Sequence, residues 1–405
     1  MKKVYGKDAG LRLAVGVPLV AAGDRIFTSG LISDRPGGLE SETHRVFQHA
    51  LALLKEAGAS PSDVVRTRVF YVEGGPVATR RVGSGESHAG ASQAERLLRD
   101  VHGIVFDHPG PAFTAIRVSR LPGEAFIEVE LEAVRGAGKT MKRHEPDEHS
   151  STSAAVRWGD EVWLSGMRAL SHDGMVSNSG RTFGQVDAVI RKTEDALLAL
   201  GAGAPDVVSS RHWMRHDTQF DQRPASWAEF MRRSIPTSAG IAVEGVGPHD
   251  AVFMYEVDAV AGAGKVRPER DSDTSLRRNV RTGRTYEILH NYCRSVRVGQ
   301  RDVVYVAGTT SIVPGEIVQH PDNVAGQVRD TLAIVRWAIE QQGLKWSDLV
   351  RTRTYIVGGP EKLDEAADAL NEVVGGLEAA ATLVGVPVLG RPTIKVEIEA
   401  TAVKS

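Results

Sequence analysis

Apolar positions follow two periods that take turns along this chain, and the same succession of periods comes round three times. Short apolar runs of strand length, residues 26–30, 162–166 and 305–308, each close on a small residue and a glycine: Ser29-Gly30, Ser165-Gly166 and Ala307-Gly308. A helical period follows. Val46, Phe47, Ala50, Leu53, Leu54 and Ala57 fall on one face and predict a helix over about 42–57. Val186, Val189, Ile190, Ala196, Leu197 and Leu200 repeat that face, as do Val328, Leu332, Val335, Ala338 and Ile339. Gly58, Gly201 and Gly343 stand where a left-handed C-cap is wanted. Next comes a strand whose text nearly recurs, in Arg66-Thr67-Arg68-Val69, Ser209-Ser210-Arg211-His212 and Arg351-Thr352-Arg353-Thr354.

Second helices are expected near 92–101, 227–233 and 362–374. Paired closing strands are expected at 112–118 with 125–134, 238–243 with 251–260, and 381–386 with 393–403. Each set opens with two short strands turning at Gly23-Asp24, Gly159-Asp160 or Gly299-Gln300. The order ββαβαββ is that of an α+β layer, with a sheet on one side and helices on the other. Copies lie about 142 residues apart, too long for a solenoid unit and right for a small domain. The chain therefore reads as three tandem domains, 1–137, 138–264 (the most diverged) and 265–405. Linkers are expected at 136–151 and 262–284, the second long enough to pack as a functional loop. A chain with three copies builds internally what others obtain by trimerising, so sites are sought between copies.

Composition narrows the function. Apolar residues make up 41% of the 405 residues and charged residues 25%, the balance of an ordinary globular protein. A net charge of -2 supplies no basic field for nucleic acid or an anionic membrane, and no run reaches the ~20 apolar residues of a membrane span. The apolar stretch 11–22 follows Lys2 and Lys3 as a signal peptide would, but Asp8 and Arg12 interrupt it, and it is read as a first strand. Cys293 is the single cysteine, so there is no intramolecular disulfide and no multi-cysteine zinc site; a cytoplasmic location fits. His212 and His216 sit four apart on a strand, which puts them about 13 Å apart, too far to share one ion. No metal and no cofactor are expected.

The strand ends, Glu42-Thr43-His44-Arg45-Val46-Phe47, Glu56-Ala57-Gly58, Asp63-Val64-Val65-Arg66-Thr67-Arg68, Pro111-Ala112-Phe113-Thr114 and Glu128-Val129-Glu130 together resemble the Rid superfamily. These are the reactive-intermediate deaminases, also called YjgF or UK114 proteins. The resemblance covers essentially the whole chain, once per copy, and the third matches through Tyr292-Cys293-Arg294 and Val396-Glu397-Ile398-Glu399. It implies a chorismate mutase-like architecture closing as an intramolecular pseudo-trimer, alone or as a dimer of it, with three clefts between copies. It further implies that an arginine on the penultimate strand holds a substrate carboxylate and that a glutamate on the last strand positions water. Here the arginine position reads Phe113, Ser238 and Ala381; the glutamate position reads Glu128, Met254 and Glu397. A cleft tyrosine survives only as Tyr292, with Gly16 and Thr152 in the other copies. Arg117 and Arg120, just past Phe113, are candidates to replace the missing arginine at a different angle.

Gly308-Thr309-Thr310-Ser311-Ile312, followed by Gly315, His320, Asp322, Gln327 and Thr331, is also similar to the C-terminal part of chorismatases. Those enzymes remove pyruvate from chorismate on a related fold. Glu397 is read as a general acid/base, or else as a strand-end carboxylate paired with a residue such as Arg391. Tyr292 offers a phenol to a developing oxyanion, or is a half-buried strand aromatic. Glu128 is the second candidate carboxylate. Arg68, Arg211, Arg351 and Arg353 are candidate substrate-binding cations, with solvated strand charges or sheet-helix salt bridges as the alternative, and His320 is placed over the third cleft. The expected activity is hydrolysis, deamination or a related rearrangement of a small polar, carboxylated, nitrogen-containing metabolite. The alternatives are a chorismatase-like lyase/hydrolase and a non-catalytic metabolite-binding protein. The expected partner is that small molecule, with no nucleic acid and no membrane.

Overall fold

A computed structural model describes residues 2–6, 13–73, 92–106, 108–144, 152–218, 224–264, 276–299 and 302–404. The architecture is mixed α+β, with three large sheets of seven, seven and six strands. All three have one strand order. In the third sheet it runs Arg277–Val280, Ser295–Val298, Val303–Thr309, Val396–Val403, Leu349–Val357, Ala380–Val386. Only the last pair is parallel; Val64–Tyr71 with Ala112–Arg117 and Val207–Arg215 with Thr237–Val243 are its counterparts.

Helices α1 (Leu39–Glu56) and α2 (Gln93–Val105) cover the first sheet, and α3 (Thr182–Ala199) and α4 (Ala225–Ser234) the second. The third carries a short α5 (Thr285–Leu289) and the longer α6 (Val324–Gln341) and α7 (Pro360–Val374). Beneath each pair lies one apolar cluster built from the helical faces anticipated above. Gly58, Gly201 and Gly343 have φ of 73°, 72° and 80°, the left-handed values the caps require. The amides of Ala59 and Ala202 reach back to Leu54 and Leu197 carbonyls at 2.8 and 2.9 Å, closing the helix ends.

Each sheet also carries an edge strand that the hydrophobic pattern did not reveal: Lys2–Tyr5, Lys142–His144 and Arg277–Val280. Two of these lie inside the expected linkers 136–151 and 262–284, whose residues 145–151 and 265–275 are outside the described residues. The edge strands are short and basic, as sheet edges tend to be, and so leave no apolar alternation to read. The strand expected within 11–22 is confined to Leu19–Ala22, with residues 11 and 12 outside the described residues. Gln300 of the third turn is also outside them.

The sheet faces turned away from the helices meet one another. Phe70, Trp213 and Tyr355, one from each middle strand, share an apolar cluster. Beside it lies a closed charge ring. Arg68 contacts Glu256 and Glu130, Arg211 contacts Glu399 and Asp258, and Arg353 contacts Glu130 and Glu399, so each arginine bridges its own sheet to the next. Arg353 grips Glu130 with Nε at 2.8 Å and Nη2 at 2.5 Å, the forked pairing that suits a carboxylate. Against the burial that would raise them, neighbouring arginines hold the Glu130, Glu256 and Glu399 carboxyls below their ordinary range.

This arrangement corrects the reading of Arg68, Arg211, Arg351 and Arg353 as substrate-binding residues. They alternate on one strand face as expected, but that face points into the junction of the sheets, where each is at most 3% exposed. Arg351 spends its charge on Glu132 at 3.4 Å and lies 5.0 Å over the Phe27 ring.

Candidate functional site

A cavity of about 740 Å³ opens where the second and third sheets meet. Glu397, from the last strand of the third sheet, lies at its inner end beside Gly308. A Cβ at Gly308 would stand 2.0 Å from Glu397 Oε1 and 3.0 Å from Ala239 Cβ, so the glycine leaves the carboxyl its present place. The Glu397 carboxyl forms no hydrogen bond or ion pair with a described residue, and at 9% exposure it retains contact with the cavity. Burial and the nearby Glu399 charge, opposed by Arg294, push its pKa up to about 8. The alternative partner Arg391 is engaged elsewhere, on Glu316 at 2.9 Å.

Tyr292 enters the cavity from the segment that leads into Ser295–Val298. The next residue fixes it: the Cys293 amide donates to the Pro236 carbonyl at 2.8 Å, tying this segment to the second sheet. Burial pushes the Cys293 thiol up to about 11, so it is a packing residue and not a thiolate nucleophile. Burial also raises the Tyr292 phenol, which stays protonated and receives a 3.5 Å contact from Arg294 Nη2. Arg294 itself is committed. Its Nε donates to Glu287 at 2.9 Å, and its Nη1 to the Gly308 carbonyl and Thr309 Oγ1, both at 2.9 Å.

The opposite wall comes from the second sheet and α4. Trp227 and Met231 face the cavity, and His212 stacks edge-on to Trp227 with ring centroids 4.9 Å apart. Gly240 makes room, because a Cβ there would meet His212 Nε2 at 2.4 Å. The mouth is framed by α5, whose Tyr286 ring lies under Arg391 at 5.8 Å. Among the described residues, no group of three His, Cys, Asp or Glu is arranged to hold a metal ion.

Of the expected site residues, the fold brings Glu397 and Tyr292 together and leaves the others apart. Glu128 is 1% exposed between the first and third sheets, where its Oε1 accepts a long 3.5 Å contact from the Leu383 amide. His320 sits before α6 with its side chain half exposed, 3.6 Å from Asp330 and outside the cavity lining. That corrects its placement over the third cleft: the ring lies against Gly326 at the start of α6, where an added Cβ would meet it at 2.7 Å. Arg117 and Arg120 do not line this cavity, and Arg117 Nη2 donates to the Glu244 carbonyl at 2.7 Å. Arg284, Arg294, His212 and Trp227 line the cavity without having been expected to. Arg284 closes the longer linker, the segment expected to pack as a functional loop; nothing in the local pattern marked the residue itself.

The family model described as Endoribonuclease L-PSP matches residues 283–404. A RutC family protein of Pyrococcus abyssi is 29% identical over 123 residues, 29% of this chain and 83% of that protein. A Mycobacterium tuberculosis member of the YjgF/YER057c/UK114 family is 32% identical across 98% of its length and 31% of this chain, with a TM-score of 0.28. The chain belongs to the Rid (YjgF/UK114) superfamily. A crystal structure of chorismatase is also similar, at 16% identity over 84% of this chain and 93% of that one, with a TM-score of 0.48.

Within this Rid-superfamily chain, strand register sets Phe113, Ser238 and Ala381 opposite Thr67, Ser210 and Thr352, equivalent places in the three sheets. Ser238 alone of the three lines the cavity. No described helix is long and apolar enough to cross a membrane.

Proposed function

We propose that the three sheets belong to three diverged copies of one unit, divided near 137/138 and 264/265 and closed as a pseudo-trimer, with one junction kept as a working site. The chain is then a small-molecule enzyme acting on a polar, carboxylated, nitrogen-containing metabolite by hydrolysis, deamination or a related rearrangement. The common strand order and the repeated glycine caps support the first part. The Glu397 carboxyl carries the second: it faces a cavity, lacks a hydrogen-bonding partner among the described residues, and keeps its proton at neutral pH.

Such a carboxyl suits general acid catalysis, since its proton is both available and transferable near the working pH. On an iminoacid, Glu397 gives its proton to the imine nitrogen, and water adds to the carbon. The carboxylate takes a proton from the added water and returns it to the nitrogen; the carbon–nitrogen bond then breaks as the hydroxyl gives its remaining proton to Glu397, releasing ammonia and the oxoacid and restoring the protonated carboxyl. The Tyr292 phenol, steadied by Arg294, donates to the oxygen that forms.

The test is ammonia release from 2-aminoacrylate and longer iminoacids generated in the assay. Acceleration by the wild-type chain and a loss of about 10²–10⁴-fold in Glu397→Gln are expected. No acceleration removes the deaminase version. Turnover that survives Glu397→Gln removes the mechanism and favours a protein that binds a metabolite without converting it.

A further inference from the structure

We infer that Arg284 anchors the carboxylate of the molecule this cavity takes, and that the rest of that molecule is an apolar or aromatic body lying against Trp227, Met231 and Tyr292. The inference rests on the cavity being the working site, and it assigns to a linker residue the task that Ser238 cannot perform.

Among the described residues lining the cavity, Arg284 is the guanidinium without a direct carboxylate contact: burial and the Arg294 charge lower its pKa, and Glu287 and Glu316 oppose them only from a distance. Glu287 already accepts four donors: the Thr282 amide at 2.7 Å, the Gly283 amide at 3.2 Å, Thr282 Oγ1 at 2.8 Å and Arg294 Nε at 2.9 Å. A carboxylate offers about four acceptor sites, so Glu287 has none left for a second guanidinium. Glu316 takes Arg391 through both its side chain and its carbonyl, at 2.9 and 2.6 Å. The Arg284 guanidinium makes no hydrogen bond or ion pair with a described residue, although it lines the cavity in the field of Arg294. Among the described lining residues, the pairs Arg294–Glu287 and Arg391–Glu316 cancel and burial pushes Glu397 toward its neutral form, which leaves the Arg284 charge without a direct counterion. A carboxylate, planar and singly charged, matches that remainder and the guanidinium fork; a phosphate dianion would overshoot it.

Size and lining describe the remainder of the ligand. About 740 Å³ lies in the range of pockets that enclose drug-sized ligands, roughly 300–1,000 Å³, and exceeds what a three-carbon acid needs. Tyr292 packs against the apolar cluster that contains Trp227 and Met231, so an aromatic wall runs up to the charged end of the cavity.

Calorimetric titration with phenylpyruvate, pyruvate, phenylacetone and phenyl phosphate tests this. Phenylpyruvate is expected to bind the wild-type chain at least tenfold tighter than the other three. Arg284→Gln, at a partly buried position, should weaken phenylpyruvate at least tenfold and phenylacetone less than twofold, with Arg284→Lys recovering part of the loss. Equal binding of pyruvate, preference for phenyl phosphate, or indifference of phenylpyruvate to Arg284→Gln would each overturn the proposal. Phenylpyruvate binding should persist in Glu397→Gln. Arg284-dependent binding in a chain that turns over nothing sinks the enzymatic reading alone; Glu397-dependent turnover without it sinks this one alone.

Discussion

Glu397 and Glu128 occupy equivalent places, on last strands and beside the glycine of a small-Gly strand end, yet their surroundings differ. At the junction of the third and first sheets, the Ser29 hydroxyl accepts the Ala381 amide at 2.8 Å and the Ala381 carbonyl accepts the Gly30 amide at 3.0 Å. Ala381 also crowds Gly16, where an added Cβ would stand 3.1 Å from it. The strands are drawn together and Glu128 is sealed in. At the junction of the first and second sheets, Ser165 clamps the Phe113 amide at 2.7 Å, and Arg168 pairs with Glu95 at 2.5 Å. The glutamate there has become Met254, beside Gly166. Between the second and third sheets the clamping position is Ala307, which has no hydroxyl, and this is where the cavity opens. The missing hydroxyl coincides with the junction at which Glu397 faces a cavity, whereas Glu128 is buried.

The same junction differs in its buried charges. Arg66 pairs with Asp258 at 2.6 Å and Arg351 with Glu132 at 3.4 Å, whereas the positions completing the threefold pattern are Ser209 and Thr401. Cation and anion are absent together, which avoids an uncompensated buried charge.

The largest expected effect comes from the ring that all junctions share. Arg353→Ala leaves Glu130 and Glu399 buried without their forked partner, and denaturant unfolding should show a loss of about 3–5 kcal/mol. A loss near zero would mean that the ring holds no junction together. A smaller effect probes the paired absence. Ser209→Arg should destabilise by about 2–3 kcal/mol, and adding Thr401→Glu should recover part of it, with a coupling energy of about 1–3 kcal/mol in a double-mutant cycle. Simple additivity would show that the two positions do not complete a pair.

The smallest effect is in pH dependence. Glu397 has a folded pKa of about 8, raised above its ordinary 4.5, so its contribution to stability is complete below about 4.5 and is lost as pH rises toward 8. Glu397→Gln should therefore melt about 2 °C or more above wild type at pH 9 and close to it at pH 5. Glu128→Gln should shift stability in the same direction, because burial and the Glu130 charge hold its pKa well above the ordinary value, but leave turnover unchanged. A matched loss of activity in both variants would erase the distinction between the two junctions.

Much of the architecture was legible in the chain alone. Periodicity and caps are local properties, so the helices, middle strands and left-handed glycines stood out beside each of the three large sheets. Tyr292 and Glu397 could be paired because the superfamily resemblance ties both to a cleft. Arg284 could not, since it lies in a segment without period and acts only through what surrounds it. Whether Arg68 and Arg353 meet a substrate or a carboxylate depended on which sheet face turns inward, and strand alternation gives only that they share a face. The sequence by itself determined three similar α+β layers and the residue types available at their junctions. Tertiary structure decided where the cavity beside Glu397 lies, which arginines are paired and which carboxyls burial pushes toward the neutral form, because burial and partner distances arise only when remote strands are packed together.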